Sequence, residues 1–321
     1  MLPNRLTRAL FAAAVAVFCA SSVHAQPYPS RPIRIATTQA GGGSDFLARL
    51  VGQGITGPLG QPVVIDNRGG GATISGEIVA RAEPDGYTLL AAAGTLWIGS
   101  LLRKTPYDPI KAFAPITLAI STPNVLVVHP SVANSMKELI ALAKAKPGVL
   151  NYGSGATGAS SHIAGELFRH MAGIDIVRVP YKGSGAAVSA VMSNEVQMMF
   201  PNGNLVVAHV KAGRLKALAV TSPKPFSALP DLPTVAAAGI PGYESELYTG
   251  ILAPARTPRA IIKRLHSEIV HFLRQPSVKQ SLMRSGGSEV VASTPEEFSA
   301  TIKAEMARVG KMIKETGLRV E

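Results

Sequence analysis

The sequence predicts an α/β fold of two lobes joined by two crossover strands, with a ligand cleft between the lobes. Three observations predict it. Strand-length apolar runs alternate with helical periodicity along the chain. The strands end in glycine-rich turns that open helices. The alternation breaks twice, around Val125–Val128 and around residues 248–252, where one α/β series gives way to the other and back.

The first strand covers residues 33–37 and runs into the Gly41-Gly42-Gly43 turn, after which residues 44–55 show helical spacing. A strand at 62–67 leads to a second glycine run and a helix near 74–82. Asp85-Gly86 is a turn signal ahead of a strand at 87–92, and Val125–Val128 is a short, wholly apolar strand bounded by Pro123 and Pro130. The second series has helix 136–146, strand 150–152, helix 160–171, strand 176–179, helix 186–193, strand 196–200 and strand 215–221. Residues 223–233 are a proline-rich loop, residues 247–253 a strand, and Thr257-Pro258 a helix start. Amphipathic helices at 258–274 and 295–316 close the chain, and the sheets are expected to be mainly parallel. On this reading the first lobe is discontinuous, residues 26–124 plus 251–321, and the second is residues 125–250. Domain interfaces of this kind favour pockets.

Ahead of the fold, Arg5 and Arg8 precede the apolar run of residues 9–20 and the small-residue stretch Ser21-Ser22-Val23-His24-Ala25, the pattern of a secretory leader cut after Ala25. The run is shorter than the roughly 20 residues that span a bilayer, so the mature chain is expected to be soluble and outside the cytoplasm. Cys19 is the only cysteine and leaves with the leader, which excludes disulfides, thiolate metal sites and cysteine nucleophiles. Removing 25 of the 321 residues, with two of the 32 basic residues and no acidic one, leaves 296 residues at net charge +10 instead of +12. That length suits two domains, and that charge draws in an anionic ligand. Aromatic residues make up only 5%, too few for the stacking platforms of a nucleic-acid binder.

The strand-end loops carry the chemistry. Gly41, Gly42, Gly43, Ser44 and Asp45 lie between a strand and a helix, where absent side chains let a ligand reach free helix N-terminal amides; Ser44 or Asp45 also serves as N-cap. Ser154, Gly155, Thr157, Gly158, Ala159, Ser160 and His162 form a second such loop, with Gly153, Gly155 and Gly158 in G-x-G-x-x-G spacing. A dinucleotide site would want an acidic residue at the far end of the next strand, whereas Asp175 precedes that strand. The loop is therefore read as a small-anion cradle built from its amides and the hydroxyls of Ser154, Thr157 and Ser160, with His162 as a hydrogen-bond donor on the helix face. Gly94-Thr95, Asn67-Arg68-Gly69 and Tyr181-Lys182-Gly183 are further strand ends, and Arg68 and Lys182 are the candidates for a distal carboxylate. There is no G-x-S-x-G elbow, no H-E-x-x-H and no His-carboxylate cluster for a metal, so the expectation is binding without chemistry, no cofactor and no metal. The competing reading is an exported α/β enzyme acting on a small organic acid or ester.

Ten segments in chain order carry a resemblance. Among them are Pro84-Asp85-Gly86-Tyr87-Thr88-Leu89-Leu90, Asn151-Tyr152-Gly153-Ser154, His162-Ile163-Ala164-Gly165-Glu166-Leu167-Phe168, Val179-Pro180-Tyr181-Lys182-Gly183, Leu252-Ala253-Pro254 and Ser293-Thr294-Pro295-Glu296-Glu297-Phe298. With them the mature chain resembles the tripartite tricarboxylate transporter receptors, also called Bug receptors. The resemblance implies a two-lobe periplasmic binding protein fold of type II-like architecture, a small organic carboxylate as ligand, delivery to cognate membrane permease subunits, and no catalytic activity; the chain is expected to act as a monomer. By position, the family's contacts fall on residues 41–45, on Gly94 and Thr95, and on residues 154–160. Three positions depart from the family pattern: Ala40 replaces a proline, Pro201 an aspartate, and Tyr248 a tryptophan. Tyr181, Pro201 and Tyr248 are counted with the pocket, and loss of a carboxylate at Pro201 argues for a plain mono- or dicarboxylate over an α-amino acid.

Overall fold

A computed structural model describes residues 28–317 except Gly42 and Gly70. The leader, Cys19, the cleavage position after Ala25 and the Gly42 site residue therefore lie outside the described residues. The chain divides into two compact units, Met1–Ser30 and Arg31–Glu321, and every element below belongs to the second.

The first run of elements is β1 (Ile33–Thr37), α1 (Gly43–Leu59), β2 (Val63–Asn67), α2 (Ala72–Ala80), β3 (Thr88–Ala93), α3 (Thr95–Leu102) and β4 (Phe113–Pro123). The second is β5 (Val125–Val128), α4 (Met136–Ala145), β6 (Asn151–Ser154), α5 (Ser160–Ala172), β7 (Val177–Pro180), α6 (Ser184–Met192), β8 (Met198–Met199), α7 (Gly203–Lys211) and β9 (Lys216–Val220). The chain then returns through β10 (Glu246–Pro254) to α8 (Arg259–Leu273), α9 (Pro276–Gly286), β11 (Glu289–Val290) and α10 (Pro295–Thr316).

Two sheets result, in the orders β11-β4-β10-β3-β1-β2 and β7-β6-β8-β5-β9. Each contains a parallel triplet, β2-β1-β3 or β7-β6-β8. Beside each triplet lies the strand that has just arrived from the other sheet, β10 or β5, and it runs antiparallel to both neighbours. The sheets are thus mixed, not mainly parallel. The physical reason is that each arriving strand enters from the other sheet's side and must run back against the triplet.

β1 and β3 are buried on both faces, as strands covered by helices on two sides must be. α1 is amphipathic: Leu47, Val51 and Ile55 lie one turn apart and face the sheet, each fully buried. Gly52 lies against Val63 and Ile65, and Gly54 gives room for the Phe272 ring of α8, which a Cβ would meet at 2.3 Å. In the second sheet Val125, Val127, Val188, Val191 and Phe226 form a core of their own.

The helix at 295–316 is as its pattern predicts, because Thr294 and Glu297 complete a capping box at its start. Five elements have no stated counterpart in the periodicity reading: α3, β4, α7, α9 and β11. Residues 95–102 lack a polar face, which hides helical periodicity. β4 carries Pro115, normally a strand breaker; it is accommodated opposite Leu252, where the β10 register shifts. The strand expected at 196–200 shortens to Met198–Met199.

A cleft built from strand ends of both sheets

The parallel strands of both sheets end at one crevice, as open α/β sheets dispose their ligand sites. It consists of three hollows. One, of about 330 Å³, is lined by Thr38, Thr95, Gly99, Leu102 and Arg103 on one side and Ala156, Thr157, Gly158 and Ala159 on the other, with Gly71 and Ala72 at the start of α2. A narrow middle of about 20 Å³ has Gly94, Thr95, Gly158, Ser160, Glu246, Leu247 and Glu305 in its walls. A third, of about 290 Å³, is lined by Gly41, Gly43, Phe46, Ile120, Thr122, Asn202, Leu205, Leu247 and Thr249 among others. Thr95 and Gly158 are shared by the first two hollows and Leu247 by the last two, so the three adjoin one another.

Helix starts converge on this crevice. α3, α5 and α7 begin at Gly94, Ala159 and Asn202 without a side-chain cap. The amides of their first two residues precede the helical hydrogen-bond ladder and carry the positive end of the helix dipole, which suits a carboxylate. The third already donates back to the cap carbonyl in α5 and α7, His162 to Ala159 at 3.0 Å and Leu205 to Asn202 at 2.9 Å.

The first glycine loop is shaped by Asp45, which is only 4% exposed. Its carboxylate accepts from the Gly41 amide at 2.9 Å, from Asn67 Nδ2 at 2.7 Å and from Arg49 Nε at 3.1 Å. Asn67 also donates to the Thr38 carbonyl at 3.0 Å. Burial raises the Asp45 pKa, but the hydrogen bonds from Asn67, Gly41 and Arg49 together outweigh it and hold the carboxyl below its ordinary value. Asp45 is thus an anion whose oxygens are already engaged in positioning Gly41.

The second loop is shaped by Arg178 of β7. Its Nε donates to Ser154 Oγ at 2.8 Å, and its two terminal nitrogens reach Thr157 Oγ1 at 3.2 Å and the Gly155 carbonyl at 3.1 Å. The Gly155 amide donates to Ser161 Oγ at 3.1 Å, and Ser160 Oγ donates to Asn202 Oδ1 at 2.8 Å. α5 itself is set by Tyr152, whose ring lies against Gly165, and by Tyr243 Oη, which donates to the Ala164 carbonyl at 2.8 Å.

Of the residues singled out from sequence, Gly41, Gly43, Gly94, Thr95, Thr157, Gly158, Ala159 and Ser160 line the crevice. Ser44, Asp45, Ser154, Gly155, His162, Tyr181, Pro201 and Tyr248 are not among the residues lining those hollows. Ser154 is fully buried beneath Arg178, and Thr157 and Ser160 have their hydroxyls engaged with Arg178 and Asn202, so the expected trio of free hydroxyls gives way to loop anchors and amides. Tyr181 Oη donates to Glu195 at 2.8 Å, and the Pro201 carbonyl accepts from the Val125 amide at 2.8 Å. Tyr248 packs into the core while its neighbours Leu247 and Thr249 line the crevice, because side chains alternate across a strand. Arg68 is paired with Asp66 at 2.9 Å, and Lys182 is exposed and lines none of the three hollows.

His162 corrects another expectation. Its Nδ1 accepts from the Gly158 amide at 3.1 Å, so towards the loop it is an acceptor, not a donor. Burial, aided by the Arg178 charge and only partly opposed by Glu166, pushes its pKa down from 6.5 to about 4. At neutral pH both folded and unfolded chains hold a neutral imidazole; between about pH 6.5 and 4 only the unfolded chain takes up the proton, so stability falls as pH falls by up to roughly 3 kcal/mol. Burial pushes Glu246 and Glu305 up to about 7, which acts in the opposite sense: their contribution is lost as pH rises from about 4.5 to 7. His162→Gln keeps an acceptor for Gly158 and leaves both glutamates in place. The stability gap between wild type and His162→Gln, measured by urea unfolding, is expected to shift towards the variant from pH 7.5 to 4.5; parallel pH profiles would show that His162 does not titrate as described.

The family model for the tripartite tricarboxylate transporter family receptor matches residues 47–318. The chain belongs to that family. Among its relatives, protein BugT of Bordetella pertussis is 34% identical over 308 residues, covering 94% of each chain. Two solved structures extend the likeness to the fold. The R. palustris protein Rpa4515 with adipate superposes with a TM-score of 0.79 at 33% identity, over 91% of this chain and 99% of the other. The periplasmic binding protein BugD superposes with a TM-score of 0.75 at 31% identity, over 92% and 100%. Arg103, Arg178, Thr122, Asn202 and Thr249 escape a motif search, because a single polar residue in an apolar strand or at a helix end leaves no pattern.

Proposed function

We propose that this chain is a periplasmic solute receptor that captures a small organic carboxylate in the crevice and delivers it to the membrane components of a tripartite tricarboxylate-type transporter. The observation that carries the reading is the convergence of uncapped helix starts from both sheets, at Gly94, Ala159 and Asn202, on one glycine-lined crevice. The family relationship and the adipate held by Rpa4515 support the ligand class. Residues 26–124 plus 251–321 act as one lobe and 125–250 as the other, and closure turns on the two crossovers. The carboxylate is held at the strand-end loops after β1 and β6, by the amides that the loops' own hydrogen bonds to Asp45, Ser161 and His162 leave over, while Phe46, Leu205 and Leu247 cover the apolar body of the ligand. The receptor works as a monomer, without a cofactor and without turnover, after loss of residues 1–25.

Exporting the full chain in a Gram-negative host and screening the purified product by thermal shift tests the proposal. Aliphatic mono- and dicarboxylates, tricarboxylates, aromatic acids and amino acids form the panel. One acid class is expected to raise Tm by several degrees, since ligand at 100 times Kd adds about 2.7 kcal/mol. The bound acid should be recovered unchanged, and mass spectrometry should find an N-terminus at Gln26. A chain retained in the cytoplasm with its leader intact, or an acid consumed in stoichiometric excess, would overturn it.

A further inference from the structure

Resting on the receptor reading, we infer that the ligand is a dicarboxylate whose second carboxylate is held by Arg103. Electrostatics along the crevice leave one end suited to a second anion. The middle contains Glu246 and Glu305, acidic groups that offer a second carboxylate no countercharge. The hollow around Phe46 and Leu205 has no charged residue in its wall. The hollow of about 330 Å³ has Arg103 as its single charged wall residue, together with the starts of α2 and α3 and the loop before α5.

Three features of Arg103 fit that role. It follows the last residue of α3, and its guanidinium folds back over Gly99, with Nε and one terminal nitrogen 3.9 Å from where a Cβ would stand. The missing side chain at Gly99 thus lets the cation lie along the cavity wall. Among the described residues it has no carboxylate within ion-pair distance, whereas Arg31, Arg34, Arg49, Arg68, Arg81, Arg169, Arg264 and Arg308 each have one. Its planar fork matches a carboxylate in two-point contact. Arg178, the other guanidinium at the crevice, is already committed to Ser154, Thr157 and Gly155 and shapes the cradle for the first carboxylate.

The test compares succinate, glutarate and adipate with butyrate, valerate and hexanoate by titration calorimetry on the wild type, Arg103→Gln and Arg103→Lys. The wild type is expected to bind its best diacid at least tenfold more tightly than the monoacid of equal length. Arg103→Gln should lose ten- to a hundredfold for that diacid and stay within about threefold for the monoacid, with Arg103→Lys in between. Unchanged Tm of the ligand-free variants keeps folding out of the comparison. A wild type that binds monoacids as tightly as diacids, or an Arg103→Gln variant that keeps its diacid affinity, overturns the inference and leaves the receptor reading standing. A wild type that binds neither series overturns both.

Discussion

Gly158→Val is expected to raise Kd for the ligand at least a hundredfold while leaving the protein folded. Gly158 has φ +83, and a Cβ there would stand 3.3 Å from Leu102 Cδ1 on the opposite wall of the crevice. The substitution therefore does two things. It places a branched side chain between the walls at the residue shared by two hollows, and it strains the loop whose amide donates to His162. The strain is about 1–2 kcal/mol for an L-residue in the left-handed region, too little to unfold a domain of this size. Gly173→Val provides the control: it has φ +59 at the end of α5 with nothing within 4 Å of its Cβ, so it carries similar strain away from the crevice. Both variants should lose comparable stability, and only Gly158→Val should lose binding. Affinity within threefold of wild type in Gly158→Val would mean that the ligand lies elsewhere. Gly155, which the G-x-G-x-x-G spacing also singles out, is a weaker probe, since its Cβ would meet Ser184, Ala159 and Ser161 within its own lobe.

The largest loss of stability is expected from Gly250→Ala. Gly250 lies in the middle of β10, between β3 and β4, where a Cβ would fall 2.5 Å from Phe298 Cζ and 2.7 Å from the Thr117 carbonyl oxygen. Phe298 is fully buried and the carbonyl belongs to the sheet, so neither yields without moving backbone. The cost belongs at or above the upper end of the ~1–3 kcal/mol typical of overpacking. Gly57→Ala in α1 is the contrasting case: nothing lies within 4 Å of its Cβ, and alanine should stabilise the helix by ~0.5–1 kcal/mol. Urea unfolding of the two variants should move the midpoint in opposite directions. Equal midpoints would show that β10 has slack at Gly250 and that the packing of α10 against the sheet is looser than described.

Much of the fold was legible because its signals are local. Alternating periodicity, the glycine turns and the Thr294 to Glu297 capping box each depend on residues within one element and its cap. The loops at residues 41–45 and 154–160 were legible for the same reason, since a strand end followed by glycines and a helix start is a contiguous pattern. What stayed hidden has long-range causes. β4 was obscured by Pro115, which is tolerated only because β10 shifts register opposite it. Tyr248 was taken for a pocket residue, while alternation in β10 places Leu247 and Thr249 there, and strand phase is set by pairing with β3 and β4.

By itself, then, the sequence determined the α/β class, the positions of the two sheet changes, the glycine-rich strand ends and the family. The tertiary structure decided which polar atoms remain for a ligand. Ser154, Thr157, Ser160 and Asp45 are the residue types a carboxylate site would use or answer to, yet in the fold their oxygens are engaged by Arg178, Asn202 and the Gly41 amide. Arg103, unremarkable in the sequence, is left facing the cavity without a carboxylate partner among the described residues. A hydrogen bond satisfies a group only once distant segments meet, so composition and spacing name the candidates and packing alone selects among them.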